Sequence, residues 1–230
     1  MIFLTGDLHG DFSRLYEFAE EKYLTKSDYV IVLGDFGIWK MTVNEILKLD
    51  ESLPFTLMFL DGNHEDFDLL QSFPVSEKWG GKVRNINGVY HLCRGQVFEI
   101  PKDDGIKTVA VMGGGDSRDI SRRIEGETWF DSEQITDYDM EELEKNLELY
   151  HNRVDVFLSH SPSAKFEEYI KDNIKSLRYP PTMSNLMIAE IHKRIDTQKS
   201  YCGHNHLNVE KVELDGIEYN MIFKDFLEIT

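Results

Sequence analysis

Basic residues, cysteine and long apolar runs are all scarce in this 230-residue sequence, and each shortage excludes a class of protein. The chain has 25 basic against 42 acidic residues, a formal charge of -17, so a long polyanion such as duplex DNA would be repelled. Cys93 and Cys202 form no Cys-x-x-Cys pair, which argues against a disulfide framework and a zinc knuckle. No apolar run approaches the length of a membrane span. We therefore expect no long nucleic acid and no membrane as partners.

The bulk composition predicts one globular domain, which we place at residues 1–230. A hydrophobic content of 41% can fill a substantial core at this length. The N-terminus lacks a basic leader followed by an apolar run, so a cytoplasmic location is expected. A strongly acidic chain can still bind phosphate esters if metal cations reverse the local charge. Phosphate chemistry in this chain would therefore need metal.

Short apolar runs rich in branched and aromatic residues predict buried strands. The runs are Ile2 to Leu4, Tyr29 to Leu33, Thr56 to Leu60, Thr108 to Met112 and Val154 to Leu158. Between the first two, apolar residues from Phe12 to Tyr23 recur with a helical period, which predicts a βαβ start.

Start and turn signals indicate further elements. Thr136 and Asp139 resemble a capping box at the start of a helix, and Ser184 precedes another helical pattern. Asp215-Gly216 lies between two apolar runs and predicts a two-residue hairpin, and Lys102 to Gly105 reads as a turn between strands. Strands that alternate with helices and end in a hairpin indicate an α/β fold.

Potential metal ligands follow nearly every predicted strand. Ligands of open α/β sheets bind beyond the carboxyl ends of the strands, so these side chains should converge although they are distant in sequence. An Asp-x-His pair alone is weak support for a metal site, because it is commonly a helix cap or a turn. Together, however, five ordered elements form a specific signature. They are Asp7-Leu8-His9, Gly34-Asp35, Gly62-Asn63-His64-Glu65, Ser159-His160 and Gly203-His204-Asn205-His206.

This ordered set resembles the calcineurin-like metallophosphoesterase superfamily, in particular its prokaryotic and phage members, over residues 7 to 206. The resemblance implies a four-layer α/β/β/α sandwich of two mixed sheets. It also implies that two divalent metal ions hold a hydroxide that attacks the phosphate ester. One ion would be bound by Asp7, His9 and His206, the other by Asn63, His160 and His204, and Asp35 would bridge them.

The expected ligands and catalytic residues follow from the same resemblance. Imidazole and carboxylate suit Mn, Fe, Zn or Ni, and of these we expect Mn, with Fe beside it or Zn or Ni as alternatives. His64 is the expected general acid, beside the catalytic Asp35. Many family members hold this histidine with an aspartate where the present chain has Ile38. Glu65, Asp66 or a backbone carbonyl are the alternatives for holding His64.

The segment from Gly113 to Asp119 has two interpretations. It reads either as a flexible turn or as a stretch present in some prokaryotic and phage members, where glycines precede a serine, an aspartate and an arginine. Under the second interpretation Arg118, Arg122 or Arg123 contacts the substrate phosphate, since arginine binds phosphate bidentately.

Three functions remain open at this point. The first is hydrolysis of a phosphomonoester or phosphodiester, with a small or nucleotide-like substrate favoured by the size and acidity of the chain. The second is a metal-lacking binding scaffold of the same fold, against which the complete ligand set and His64 speak. The third is a protein Ser/Thr phosphatase, which the ligands alone do not exclude. The sequence gives no oligomeric state.

Overall fold

The computed structural model describes residues 1–102, 105–174 and 180–229. The strands are β1 (Ile2–Thr5), β2 (Tyr29–Val32), β3 (Thr56–Phe59), β4 (Val75–Lys78), β5 (Gly81–Ile86), β6 (Val89–Leu92), β7 (Val97–Lys102), β8 (Gly105–Met112), β9 (Val156–Ser159), β10 (Lys199–Cys202), β11 (Val209–Leu214), β12 (Ile217–Met221) and β13 (Leu227–Glu228). The α-helices are α1 (Ser13–Lys22), α2 (Val43–Ser52), α3 (Phe67–Ser72), α4 (Asp137–Leu149), α5 (Ala164–Asn173) and α6 (Met183–His192). None of the described helices is both long and apolar enough to cross a membrane.

The strands form two mixed sheets. The first has the order β13-β1-β2-β3-β6-β5-β4, and the second has the order β11-β12-β10-β9-β8-β7. In the first sheet β1, β2 and β3 are parallel, and in the second β8, β9 and β10 are parallel. Antiparallel strands extend both sheets at their edges. The parallel centres bring several strand carboxyl ends together, which is the arrangement that the sequence predicted.

The central strands are apolar on both faces because each sheet is covered on both sides. In β2, Val30 and Val32 pack in a cluster with residues of α1, α2 and α3, whereas Ile31 and the following Leu33 pack in the cluster between the two sheets. The second sheet repeats the pattern, since alternate residues of β8 pack between the sheets or against α4 and α6. The result is the predicted α/β/β/α sandwich.

The signals at Thr136 and Asp215 were correct, and the one at Ser184 was displaced from the start of its helix. Thr136 and Asp139 make the predicted capping box of α4. The last helix, α6, begins at a capping box of Thr182 and Asn185 and not at Ser184, whose side chain is buried. Asp215 and Gly216 have φ of 51° and 82° and form the tight turn between β11 and β12. Of the turn predicted over Lys102 to Gly105, residues 103–104 lie outside the described ranges.

The sequence did not predict β4 to β7, β10 or β13 among the strands, nor α2, α3 and α5 among the helices. Strand β4 has the sequence Val-Ser-Glu-Lys and is largely exposed, so it carries no apolar run. Strands β5 and β6 join it in antiparallel hairpins, whereas β7 pairs antiparallel with β8 in the second sheet, and β13 has two residues. Such short, half-exposed strands give a weak periodic signal because the ladder partners and not their own composition hold them in place.

Candidate metal centre

The five sequence elements meet at the carboxyl ends of five strands. Asp7 and His9 follow β1, Asp35 follows β2, Asn63 follows β3, and His160 follows β9. His204 and His206 follow β10. Pairs of these residues that are up to 199 positions apart have side-chain nitrogens or oxygens within 3.1 Å of each other. The structure therefore brings all seven predicted ligand residues into one site.

The backbone at this site is strained. Eleven non-glycine residues in the described ranges have positive φ, and four of them are His9, Asp35, His204 and His206, with φ between 47° and 74°. Residues with a Cβ adopt this left-handed conformation only at a cost of roughly 1–2 kcal/mol. Such backbone outliers cluster at functional sites, where the surrounding structure enforces them. Four of them at this site therefore indicate that the positions of the side chains are tightly constrained.

Three of the predicted ligands, Asp7, His9 and His206, form what we term the outer set. The Nε2 of His206 lies 3.0 Å from Asp7 Oδ2 and 3.1 Å from His9 Nε2. Together with Asp35, each residue offers one ligand atom within 4.8 Å of the others. Asp7 Oδ2 is buried and receives no hydrogen bond of proper geometry from the described residues. A buried carboxylate oxygen that faces imidazole nitrogens is well suited to a divalent cation.

The other three, Asn63, His160 and His204, form the inner set. His160 is fully buried, and its Nδ1 lies 2.8 Å from the carbonyl oxygen of Leu33. A carbonyl can only accept, so Nδ1 carries the proton and Nε2 of the neutral ring keeps its lone pair. That Nε2 is 3.1 Å from Asn63 Oδ1 and 3.1 Å from His204 Nδ1. Converging lone pairs of this kind are stabilised by a cation between them.

Asp35 lies between the two sets. Its Oδ1 is 3.5 Å from Nε2 of His160 in the inner set, and its Oδ2 is 3.7 Å from Nε2 of His9 in the outer set. Burial raises the pKa of Asp35, and the nearby Asp7 carboxylate raises it further. The buried carboxylates of Asp7 and Asp35 have oxygens within 4.8 Å of each other, and they repel unless positive charge lies beside them. The residues present therefore fit divalent metal ions, as the ligand signature predicted.

His64 lies over the outer set, with its ring centroid 5.2 Å from that of His9. The terminal nitrogens of Arg123 are 3.3 Å from its Nδ1 and 3.2 Å from its Nε2. The guanidinium of Arg123 therefore contacts both ring nitrogens of His64 at once. Burial and the Arg123 charge together lower the pKa of His64 to about 4, which leaves the ring neutral near pH 7.

Neither carboxylate that the sequence suggested holds the His64 ring. The Glu65 carboxylate accepts the backbone N–H groups of Phe36, Gly37 and Ile38 at 2.6–3.0 Å, so it fixes the loop after Asp35 instead. Asp66 caps α3 by accepting from the backbone N–H of Leu69. A backbone carbonyl is not among the contacts of the ring in the described ranges either. The partner of the ring is Arg123.

The three candidate arginines have different environments. Arg123 contacts both ring nitrogens of His64 and is held by Asp119, whose Oδ1 is 2.7 Å from its Nε. Arg118 donates to Glu167 Oε1 at 2.9 Å and to the carbonyl of Pro180, so it pairs with α5. Arg122 ends a short 3-10 helix and is exposed. Among them, the structure places Arg123 in contact with the site.

Several supporting residues were missed. Asn63 Nδ2 donates to Ser117 Oγ at 3.0 Å, and Ser117 in turn contacts the buried Glu133. Nothing in the local sequence of Glu133, within a 3-10 turn, indicates a buried acid. Asp61, between β3 and Asn63, accepts hydrogen bonds from His91 Nε2 at 2.8 Å and from Arg94 Nε at 2.7 Å. The sequence assigned no role to His91, because it lies inside a strand away from the other motifs.

Comparisons with known proteins agree with this architecture. A family model described as calcineurin-like phosphoesterase matches residues 1–208. No curated protein matches the chain. The crystal structure of TT1561 of Thermus thermophilus is similar with a TM-score of 0.56 at 12% identity, covering 97% of this chain and 89% of that one. A putative 5'-nucleotidase from Staphylococcus aureus, in complex with alpha-ketoglutarate, is similar with a TM-score of 0.53 at 16% identity, covering 97% of this chain and 48% of that one. These two similarities show a shared fold.

Proposed function

Because the chain belongs to the calcineurin-like phosphoesterase family, we propose that it hydrolyses a small phosphate ester with two divalent metal ions, His64 and Arg123. Family membership itself makes the chain a metal-dependent phosphoester hydrolase. The number of ions, the residue roles and the size of the substrate are our proposal. One observation carries it: Asp35 has one oxygen directed to each of the two ligand sets, and His64, which belongs to neither set, lies beside them.

In this proposal the outer and inner sets each hold one ion, and Asp35 is shared. Two such ions, about 3.5–4 Å apart in known sites, activate water and stabilise the charge that develops on the phosphoryl oxygens. The imidazole and carboxylate donors favour Mn, with Fe, Zn or Ni as alternatives. The protein's own contribution is to fix the ligand directions in advance, through Leu33 for His160 and through Ser117 for Asn63.

His64 is proposed to protonate the leaving oxygen of the ester. Its backbone N–H donates to Asp35 Oδ1 at 2.8 Å, which fixes the start of the side chain relative to the metal ligands. The ring is neutral near pH 7 in the free protein, so it has to gain its proton when the anionic substrate arrives. A phosphate beside the ring favours that step, because a nearby opposite charge raises the pKa of an imidazole.

Arg123 is proposed to bind a phosphoryl oxygen. Its side chain is 12% exposed, and Asp119 and the carbonyl of Thr128 orient it against His64. A guanidinium held in this way offers donors to a phosphate that also contacts His64. The overall charge of -17 repels a long polyanion more strongly than a small ester, which favours a small substrate.

The first experiment compares two aspartate-to-asparagine variants that share a backbone conformation. Asp35 and Asp215 have φ of 47° and 51°, and asparagine tolerates that region, so each replacement removes a charge with little added strain. Metal is stripped, Mn is restored, and hydrolysis of a generic phosphomonoester, a generic phosphodiester and a phosphopeptide is measured. We expect Mn-dependent turnover in the wild type and in Asp215→Asn, and its loss in Asp35→Asn.

Each other outcome has a definite meaning. Equal turnover of Asp35→Asn and the wild type would contradict the shared-ligand role. Absence of Mn binding by the wild type would favour the scaffold alternative. A strong preference for the phosphopeptide would favour a protein phosphatase over an enzyme for small esters.

A further inference from the structure

We propose that Ser117 and Glu133 are positioning residues that hold the Asn63 carboxamide with its oxygen, and not its nitrogen, directed into the inner set. This inference rests on the proposed function, because it concerns how one ligand of the proposed inner ion is presented. It assigns a role to two residues that are distant from the ligand motifs. Ser117 precedes Glu133 by 16 positions and follows Asn63 by 54.

Asparagine is an ambiguous ligand. Its carbonyl oxygen can coordinate a cation, whereas its NH₂ group carries two hydrogens and has no lone pair available for a metal. Rotation of the amide by 180° exchanges the two with little change of shape. A site that uses asparagine must therefore fix the orientation of the amide, which an aspartate ligand would not require.

The direction of the hydrogen bonds fixes this orientation. The Glu133 Oε1 accepts the backbone N–H of Ser117 at 2.6 Å, and its Oε2 lies 2.9 Å from Ser117 Oγ. A carboxylate can only accept, so the single hydroxyl proton of Ser117 is donated to Glu133. The Oγ is left with lone pairs only and must accept from Asn63. Nδ2 of Asn63, 3.0 Å away, is the group that can donate to it.

The opposite end of the amide is thereby directed to the inner set. Asn63 Oδ1 lies 3.1 Å from His160 Nε2, the nitrogen that keeps its lone pair because Nδ1 donates to Leu33. Two independent hydrogen-bond chains thus orient Asn63 Oδ1 and His160 Nε2 toward the same point. One chain begins at Glu133 and the other at the Leu33 carbonyl. Asn63 is 5% exposed, and Ser117 and Glu133 are 5% and 0% exposed, so water has little access to replace the chain.

The experiment measures metal binding and does not depend on turnover. Ser117→Ala removes the acceptor for Nδ2. Glu133→Gln keeps the shape but allows an NH₂ group to donate to Ser117 Oγ, which frees the hydroxyl proton to point at Asn63 and favours the flipped amide. Calorimetric titration with Mn should show one equivalent bound as in the wild type and the second bound about 10- to 100-fold more weakly. Glu213→Gln, at an exposed position of β11, is the matched control and should bind both as the wild type does.

A double substitution separates orientation from a general structural role. In the Asn63→Asp background both side-chain atoms that face the site are oxygens, so adding Ser117→Ala should not weaken the second equivalent further. Two unchanged equivalents in Ser117→Ala and Glu133→Gln would overturn the inference, as would an equal loss from Ser117→Ala with and without Asn63→Asp. If Glu133→Gln does not fold, the Ser117→Ala pair still decides. A wild type that binds none of Mn, Fe, Zn and Ni would instead refute the proposed function.

Discussion

The two halves of the metal centre, the outer set and the inner set, differ in how firmly their ligands are held. In the outer set the imidazoles of His9 and His206 are 37% and 47% exposed, and their nitrogens face each other without a fixed donor behind them. In the inner set His160 is fully buried and Asn63 nearly so, and each has a hydrogen-bond chain on its far side. The comparison indicates a division of labour, in which the inner half is rigid and the outer half is open to solvent and substrate.

The largest effect is expected from a residue that belongs to neither half. His64→Ala should lower turnover by about 10²–10⁴-fold on an ester with a poor leaving group, because general acid assistance is lost. Both equivalents of Mn should still bind, since His64 is not among the ligands of either set. Steady-state kinetics and metal titration of the same sample check this. Loss of an ion in this variant would mean that His64 is a ligand, and His64 would then have to be added to one of the two sets.

The support behind the inner half should make stability depend on pH. Burial tends to lower the pKa of His91, but the hydrogen bond to Asp61 raises it to about 9, against 6.5 for the free residue. The imidazolium therefore stabilises the fold fully below pH 6.5, and this contribution is lost as the pH rises through about 9. The loss is at most about 3 kcal/mol.

His91→Gln isolates this effect, because its amide can still donate to Asp61 but does not titrate. The difference in free energy of unfolding between wild type and variant, from denaturant melts, should shrink as the pH rises from 6.5 to 9. A difference that is constant across this range would show that His91 does not change protonation, and the inner half would have no pH-dependent support.

Matched removal of one imidazole from each half tests the comparison directly. In the metal-free protein, His160→Ala leaves the Leu33 carbonyl without its donor and opens a buried space, which should cost about 2–3 kcal/mol. His206→Ala changes a half-exposed residue and should cost about 0.5 kcal/mol or less. The melting temperature should fall by about 5–10 °C in the first variant and by about 2 °C or less in the second. Equal shifts would contradict the proposed difference in rigidity.

The smallest expected effect is in the order of metal release. With a chelator in excess, the Mn-loaded protein should lose its ions in two phases, and the ion of the exposed outer half should leave about tenfold faster, equivalent to about 1.4 kcal/mol in barrier height. His206→Ala should leave mainly the slow phase. A single phase with both ions lost together would show that the two halves behave as one unit.

The sequence predicted those features that repeat along the chain or carry unusual chemistry. The apolar runs located β1, β2, β3, β8 and β9, and the Asp, Asn and His residues of the five ordered elements located all seven predicted ligand positions that the structure brings together. It missed β4 to β7, whose pairing holds strands without an apolar signal. It also could not identify the partner of His64, because Arg123 is 59 residues away along the chain and only the fold brings the two side chains together. Glu133 was invisible for the same reason.

The left-handed backbone at His9, Asp35, His204 and His206 links the survival of the protein to its metal supply. The fold holds these four residues in an unfavourable conformation, and bound ions would add a stabilising interaction that offsets the strain. A ligand that binds only the folded state adds RT ln(1 + [L]/Kd) to its stability. Starvation for the metal should therefore shorten the lifetime of the protein in the cell as well as abolish its activity. The abundance of the protein should follow the concentration of free ion.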